Sequence, residues 1–552
     1  MKRPWWEDAV FYQIYPRSFC DSTGNGIGDL DGIRAHLDHL SWLGVDALWL
    51  SPFYPSPMAD FGYDVSDYCG VDPLFGTLED FDRLLVDAHA RNLRVIVDWV
   101  PNHTSDAHPW FLQSRSSRHN PKRDWYWWRD DRSDDEGGFG APGSAGRRPN
   151  NWLAAFPGVG KSDFPPAWTW DQETGQWYLH LFLDHQPDLN CHHPEVQSAM
   201  AGVLRFWLDR GADGFRVDVV HAIGKDPRLA DLPDDLAAIP MCALNDDPST
   251  HPILARLRQL LDGCQPPARM MVGETVLPSV AQIVAYYGSP DGKELDLAFN
   301  FHPLRSPWSA RSWTRRIDEA EELIGASGAW PTWVLSNHDT SRHRTRYGGS
   351  EARARAAAVM LLTLRGTPFL YAGEELGLED AVVAPDRRVD PAWPGRDGCR
   401  APLPWDAGPG HGWAGGPDAW LPWPPEADSG RTVVEEMDDP DSTLNLYRSL
   451  LRARRGSQAL RAGSFTWAAT DGDVLAYRRK QGRDVRFVAV NFSDSPSSLD
   501  LPPGPWEVEL SSARAAADSR WDGPSPSGRI EVGPDEAVIL RPARAAQLDR
   551  GR

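Results

Sequence analysis

The chain has 552 residues, enough for two or three domains or for one large barrel with additions. Its 78 acidic residues outnumber its 57 basic ones, and the formal charge of −21 repels phosphate backbones and anionic membranes, which argues against a nucleic-acid partner. No apolar run is long enough to span a bilayer, so the expectation is a cytoplasmic chain, monomer or small homo-oligomer, with a small neutral or cationic ligand and no membrane partner.

Short apolar runs recur along the chain, each followed by a helix-like amphipathic segment. The first is "AVFYQIYP" (9–16). After it, "DSTGNGIGD" puts Asp21, Thr23, Asn25, Ile27 and Asp29 at alternate positions, the spacing of a calcium loop whose fourth ligand is a main-chain carbonyl. A structural calcium or magnesium ion is expected there, held weakly because Asn25 is neutral, and no organic cofactor is expected. "DALWLSP" (46–52) and "RVIVDWVP" (94–101) follow. Residues 104–172 break the rhythm; rich in Trp, Pro and charge, they are too long for an ordinary loop and predict an inserted domain.

The rhythm resumes with "GFRVD" (214–218), "MMVGE" (270–274), "DLAFNF" (296–301), "TWVLSN" (332–337) and "PFLYAG" (368–373). Eight strands alternating with helices predict a (β/α)8 barrel over residues 1–103 and 173–459, with its site at the carboxyl ends of the strands. Residues 374 to about 440 read as a wall of that site. From residue 460 to 552 short alternating strands predict a C-terminal antiparallel β-sandwich. The six cysteines have no CxxC spacing and suggest neither zinc nor a disulfide framework. The 26 tryptophans serve mainly in packing, with a minority free to stack on sugar rings.

In "GFRVD" the alternation places Arg216 and Asp218 on one face of a buried strand, about 6.6 Å apart along it. Buried charges are costly unless paired or used. An ionised Asp218 held by a guanidinium at a barrel mouth suits a nucleophile. Glu274 ends a second strand, where a general acid can stand. Asp339 follows His338 at a third. A lone strand-end carboxylate is more often a helix cap. Three at three strand ends of one barrel are hard to explain that way.

"DWVPNH" (98–103), "GFRVD", "VGET" (272–275) and "LSNHD" (335–339) resemble, in order and spacing, the four short conserved regions of the α-amylase superfamily of retaining glycoside hydrolases. "QPDLN" (186–190), "YQIYPRSF" and "GIGDLDGI" resemble its oligo-1,6-glucosidase branch, whose divalent-cation loop the 21–29 segment also resembles. The resemblance implies that Asp218 is the nucleophile, Glu274 the acid/base and Asp339 a third carboxylate that holds sugar hydroxyls. It implies a sugar pocket of Tyr63, Asp64, His103, Phe164, Arg216 and His338, closed by Arg400 with Asp64. The implied activity is an exo-acting α-glucosidase on small oligosaccharides, with a transglucosylase or isomerase as the alternative. Val219, after the nucleophile, resembles the α-1,6 type, although "DVVHAIGKDP" departs from the branch.

Overall fold

The computed structural model describes residues 3–131, 147–239, 246–289, 292–416, 418–468, 472–513 and 528–543. Its central sheet has eight strands: β1 (Phe11–Ile14), β2 (Ala47–Leu50), β3 (Arg94–Trp99), β4 (Gly214–Val217), β5 (Met270–Gly273), β6 (Leu297–Ala298), β7 (Thr332–Val334) and β8 (Thr367–Tyr371). They lie in the eight apolar runs. Their order is β6-β5-β4-β3-β2-β1-β8-β7, with every neighbouring pair parallel. No ladder joins β6 to β7. Instead Thr332 Oγ1 donates to Ala298 O at 2.8 Å and accepts Asn300 N at 3.2 Å, so one side chain bridges the seam of a near-closed barrel.

The strand period of two sorts the core into layers. Phe11, Ala47, Trp49, Ile96, Met270, Val272, Leu297, Val334 and Phe369 cluster together inside the barrel. Their neighbours Tyr12, Leu48, Val95, Val97, Phe215, Val217, Met271 and Leu370 belong to the cluster that packs against the helices. The helices obey the matching rule: helix Pro194–Arg210 buries Val196, Met200, Val203, Leu204, Trp207 and Leu208 on one face. It starts with Pro194 in its first turn and stops at Gly211, whose φ is +109°.

Two glycines of the site motifs are required by close approach. A Cβ on Gly214 would stand 2.3 Å from Met270 O, and one on Gly273 would stand 2.4 Å from Leu295 Cδ1. The first would push β4 from β5, and the second would press on the side chains of Leu295 and Val220 beside the buried charges.

Within the segment after β3, Trp128–Arg129, Gln176–Leu179 and Trp168–Asp171 form a three-stranded antiparallel sheet. Trp127, Trp152, Trp168, Trp177 and Phe182 pack there with Val219 and Ala222 of the barrel. Residues 132–146 of the expected inserted domain lie outside the described residues. At the C-terminal end, Ser464–Trp467, Val474–Gln481, Asp484–Asn491, Ala537–Pro542 and Trp506–Ser511 form a five-stranded sheet. It shares a core with the pair Ser497–Asp500 and Arg529–Val532, the two faces of a sandwich. Helix Glu351–Thr363 is buried along nearly its whole length and is wedged against this region, with Arg355 Nε donating to Ser512 O at 2.7 Å. Five cysteines are free; Cys242 lies outside the described residues. Among the described residues no helix is long and apolar enough to cross a membrane.

Candidate active site

Register decides where the charges meet. Asp98 on β3 pairs with Arg216 on β4, and Val217 pairs with Gly273, so Asp98, Arg216, Asp218 and Glu274 converge at the carboxyl ends of adjacent strands. Arg216 is 1% exposed and serves three acids at once. Its Nη1 donates to Asp98 Oδ1 at 2.8 Å and to Asp218 Oδ1 at 2.7 Å, and its Nη2 to Glu274 Oε2 at 2.7 Å. Holding Asp218 and Glu274 on adjacent nitrogens of one guanidinium suits the short carboxyl spacing, about 5–5.5 Å, of retaining glycoside hydrolysis.

The main chain completes this arrangement. Val219 N–H donates to Glu274 Oε2 at 3.0 Å. To do so Val219 takes φ +38° and ψ +43°, the left-handed region that a β-branched residue enters only at a cost of about 1–3 kcal/mol. Glu274 Oε2 thus accepts two donors. Asp218 accepts Arg216 at Oδ1.

Electrostatics separate the carboxylates. Burial pushes the pKa of Asp218 well up, against the pull of Arg216. Burial likewise pushes Asp98 up to about 6, opposed by the same guanidinium. Asp339 goes the other way: burial raises it, but His338, Arg396, Arg400 and Arg216 together outweigh burial and hold it below the ordinary carboxylate range. Its Oδ1 accepts Arg396 Nη1 at 2.9 Å and Arg400 Nη2 at 3.2 Å. His338 is pushed down to about 3 by burial, its ring fixed by Gln13 at Nδ1 (2.7 Å) and Tyr63 Oη at Nε2 (2.5 Å). His103, also brought down to about 3 by burial, contacts Gln186 Nε2 at 3.2 Å. Gln186 in turn donates to Asp60 Oδ2 at 3.1 Å, which ties the "QPDLN" motif to the site.

These groups line a cavity of about 550 Å³. Tyr63, His103, Asp218, Glu274 and Asp339 face it. Arg216 and His338 are buried behind that surface. Three expectations are corrected. Asp64 does not face the cavity; its carboxylate accepts Ser56 Oγ and Ala59 N at 2.8 Å and Asp60 N at 3.0 Å, folding the loop that presents Asp60. Arg400 is fully buried, its Nε donating to His338 O at 2.8 Å, and it supports Asp339 from behind. The ion pair on the cavity wall is Arg396 Nη2 with Asp60 Oδ1, at 2.7 Å. Phe164 is half-buried and is not part of the lining; Phe156 and Phe182 supply the aromatic wall.

Val219, His221, Val276, Arg305, Thr340, Ser341 and the segment Ala392–Arg396 complete the lining, the last of these from the region read as a wall. Asp60 and Arg396 each lie four positions from the residue the motif suggested. A signal existed, since "MADFGYD" and "GRDGCR" each hold two candidates; spacing cannot say which one faces inward.

In the loop after β1, Asp21 accepts Thr23 N at 2.8 Å and Gly24 and Gly26 N at 2.7 Å. Asn25 Oδ1 accepts Ile27 N at 2.9 Å, and Asp29 accepts Ser22 N at 2.9 Å and caps helix Leu30–Ala35 through Gly32 N at 2.6 Å. The donors are all oxygen, which fits calcium or magnesium. Only two are carboxylates, and among the described residues no group of three or more His, Cys, Asp or Glu is arranged around a common point.

The alpha-amylase catalytic domain family matches residues 13–463, most of the chain. The chain belongs to the alpha-amylase family. Membership makes it a glycoside hydrolase. Within the family it is 41% identical over 530 residues to a probable alpha-glucosidase of Rhizobium meliloti, covering 91% of both chains. It is 35% identical to the oligo-1,6-glucosidase of Parageobacillus thermoglucosidasius, covering 91% of this chain and 93% of that one. Two solved structures superpose over 98% of this chain and 100% of theirs with TM-scores of 0.86: an alpha-glucosyl transfer enzyme, 41% identical, and the trehalulose synthase MutB, 34% identical.

Proposed function

We propose that the chain is an exo-acting retaining α-glucosidase that releases terminal α-glucose from the non-reducing end of short oligosaccharides of the maltose or isomaltose type. One observation supports the exo reading: Arg396 bridges Asp60 and Asp339 in an ion-pair wall beside the third carboxylate, which would stop a chain from running through. Relatives named alpha-glucosidase and oligo-1,6-glucosidase support the substrate class.

In this reading Glu274 Oε1 protonates the glycosidic oxygen as Asp218 Oδ2 attacks the anomeric carbon. The bond to the leaving sugar breaks and a glucosyl ester forms. Asp339, held ionised, binds hydroxyls of the distorted ring. Water then enters, Glu274 takes its proton, and attack from the opposite side restores the original anomer and frees Asp218. The five free cysteines described support a reducing, cytoplasmic setting.

A second reading, glucosyl transfer or isomerisation, is favoured by the whole-chain likeness to the transfer enzyme and to trehalulose synthase. It needs the same ester and differs only in the acceptor. Incubation with maltotetraose, followed by chromatography, tests both. Glucose with maltotriose as first products supports the proposal; early maltose from mid-chain cutting overturns exo action. Products longer than the substrate favour transfer. Parallel incubations with maltose, isomaltose, sucrose and trehalose assign the linkage.

A further inference from the structure

At the pole of the barrel opposite the carboxylates, the amino ends of β1, β2 and β3 frame a second cavity of about 380 Å³, the size of a small-ligand pocket. Its lining carries five arginines, Arg3, Arg94, Arg454, Arg455 and Arg461, against the two aspartates Asp8 and Asp46. This is a local excess of positive charge in a chain whose total is −21.

Three of the arginines are matched by acids: Arg3 by Glu7 at 2.8 Å, Arg94 by Asp213 at 2.9 Å and Arg455 by Asp46 at 2.9 Å. The other two are not. Arg454 is 1% exposed, and its Nη atoms donate to main-chain carbonyls, of Leu362 at 2.9 Å, Leu460 at 3.1 Å and Gly366 at 2.6 Å. Its Nε is buried without a partner, and so is the Nε of Arg461. Among the described residues no carboxylate lies within 4.0 Å of either guanidinium. Burial pushes Arg454 down to about 10 against the more distant pull of Asp46 and Asp8, which still leaves it charged at neutral pH.

A buried cation with no carboxylate within ion-pair distance is costly, and the chemistry at the other pole uses none of these residues. We propose that this cavity binds a small phosphate monoester, whose dianion takes up the charge left unmatched on Arg454 and Arg461. Guanidinium forks fit phosphate oxygens, and the presence of two unmatched arginines favours a dianion over a monoanion. Trp5, under Arg94 at 4.6 Å, and Leu451 offer apolar surface to the organic part of the ester. The size of the cavity admits a sugar phosphate and excludes a polymer.

Calorimetric titration of the full chain in phosphate-free buffer with inorganic phosphate, glucose 6-phosphate and glucose tests this. Saturable binding of glucose 6-phosphate is expected, weakened at least tenfold by Arg461→Ala and partly recovered in Arg461→Lys. Turnover of maltose should be unchanged in both variants, which also reports that they fold. No saturable binding of the ester overturns the proposal. Equal ester binding by wild type and Arg461→Ala places the ester elsewhere and overturns it too. Binding of inorganic phosphate without binding of the ester overturns the assignment to a monoester.

Discussion

Asp218→Asn exchanges the attacking oxygen for an amide of matched volume beside Arg216. We expect kcat to fall by at least about 10³-fold with the melting temperature little changed. A variant keeping more than a few per cent of the rate would remove Asp218 from the nucleophile's role. Val219 acts twice, through its main-chain N–H on Glu274 and through a side chain on the cavity wall. Val219→Ala keeps the first and enlarges the acceptor side. The ratio of maltose to isomaltose kcat/KM should rise, by roughly tenfold at the low end of what one apolar contact yields. An unchanged ratio would mean that linkage is read elsewhere on the wall, by Phe156, Phe182 or Arg305. Placement on the cavity was legible in the sequence where a motif held one candidate, as with Asp218, Glu274 and Asp339. It failed where two candidates of one type stood a helical turn apart, because Asp60 with Asp64, and Arg396 with Arg400, differ only in which way the folded loop turns them. Asp98 was visible in "DWVPNH", but its partnership with Arg216 depends on the pairing of β3 with β4.

At the scale of elements, the loop after β1 is an ordered wrap of amides around Asp21, docked through Ala414 N to Asp21 O at 3.0 Å and Trp420 N to Gly26 O at 2.9 Å. An ion there would stabilise the folded state in proportion to the logarithm of its concentration over Kd. We expect EDTA to lower the melting temperature by a few degrees at most, with kcat/KM unchanged. No shift, with no ion by elemental analysis, would leave a plain turn. The barrel strands were legible because apolar runs of four to eight residues recur between helical patterns. Seam closure by Thr332 was not, since a hydroxyl in a strand has no sequence signature. The role of residues 392–396 also depends on the fold, as Arg396 gains meaning only beside Asp60, Asp339 and Asp390.

At the scale of the whole molecule, a buried carboxyl that does not line the cavity also bears on the proton balance of folding. Glu374, after β8, is fully buried and accepts Tyr447 Oη of helix Thr443–Gly456 at 3.2 Å; burial pushes its pKa up to about 8. The folded state therefore holds a proton that the unfolded chain, near 4.5, gives up. The favourable contribution is complete below about 4.5 and is lost as pH rises toward 8. Glu374→Gln mimics the protonated form. It should match the wild type at pH 4 and exceed its stability at pH 8 by on the order of 1–3 kcal/mol, measured by urea unfolding. A difference that does not grow with pH would show that Glu374 does not titrate on unfolding in this range.

On the exo reading, the wall made by Arg396 and Asp60 makes the cleft a room with a single door. Traffic through it is ordered: the severed sugar has to leave before an acceptor can come in, and glucose departs last, by the way it came. Water and dissolved sugar then queue at the same threshold. Free glucose should compete with substrate for the vacant room, and the share of glucosyl units passed to another sugar should climb with substrate concentration. A product ratio that stays flat from millimolar to molar maltose would point to a second exit.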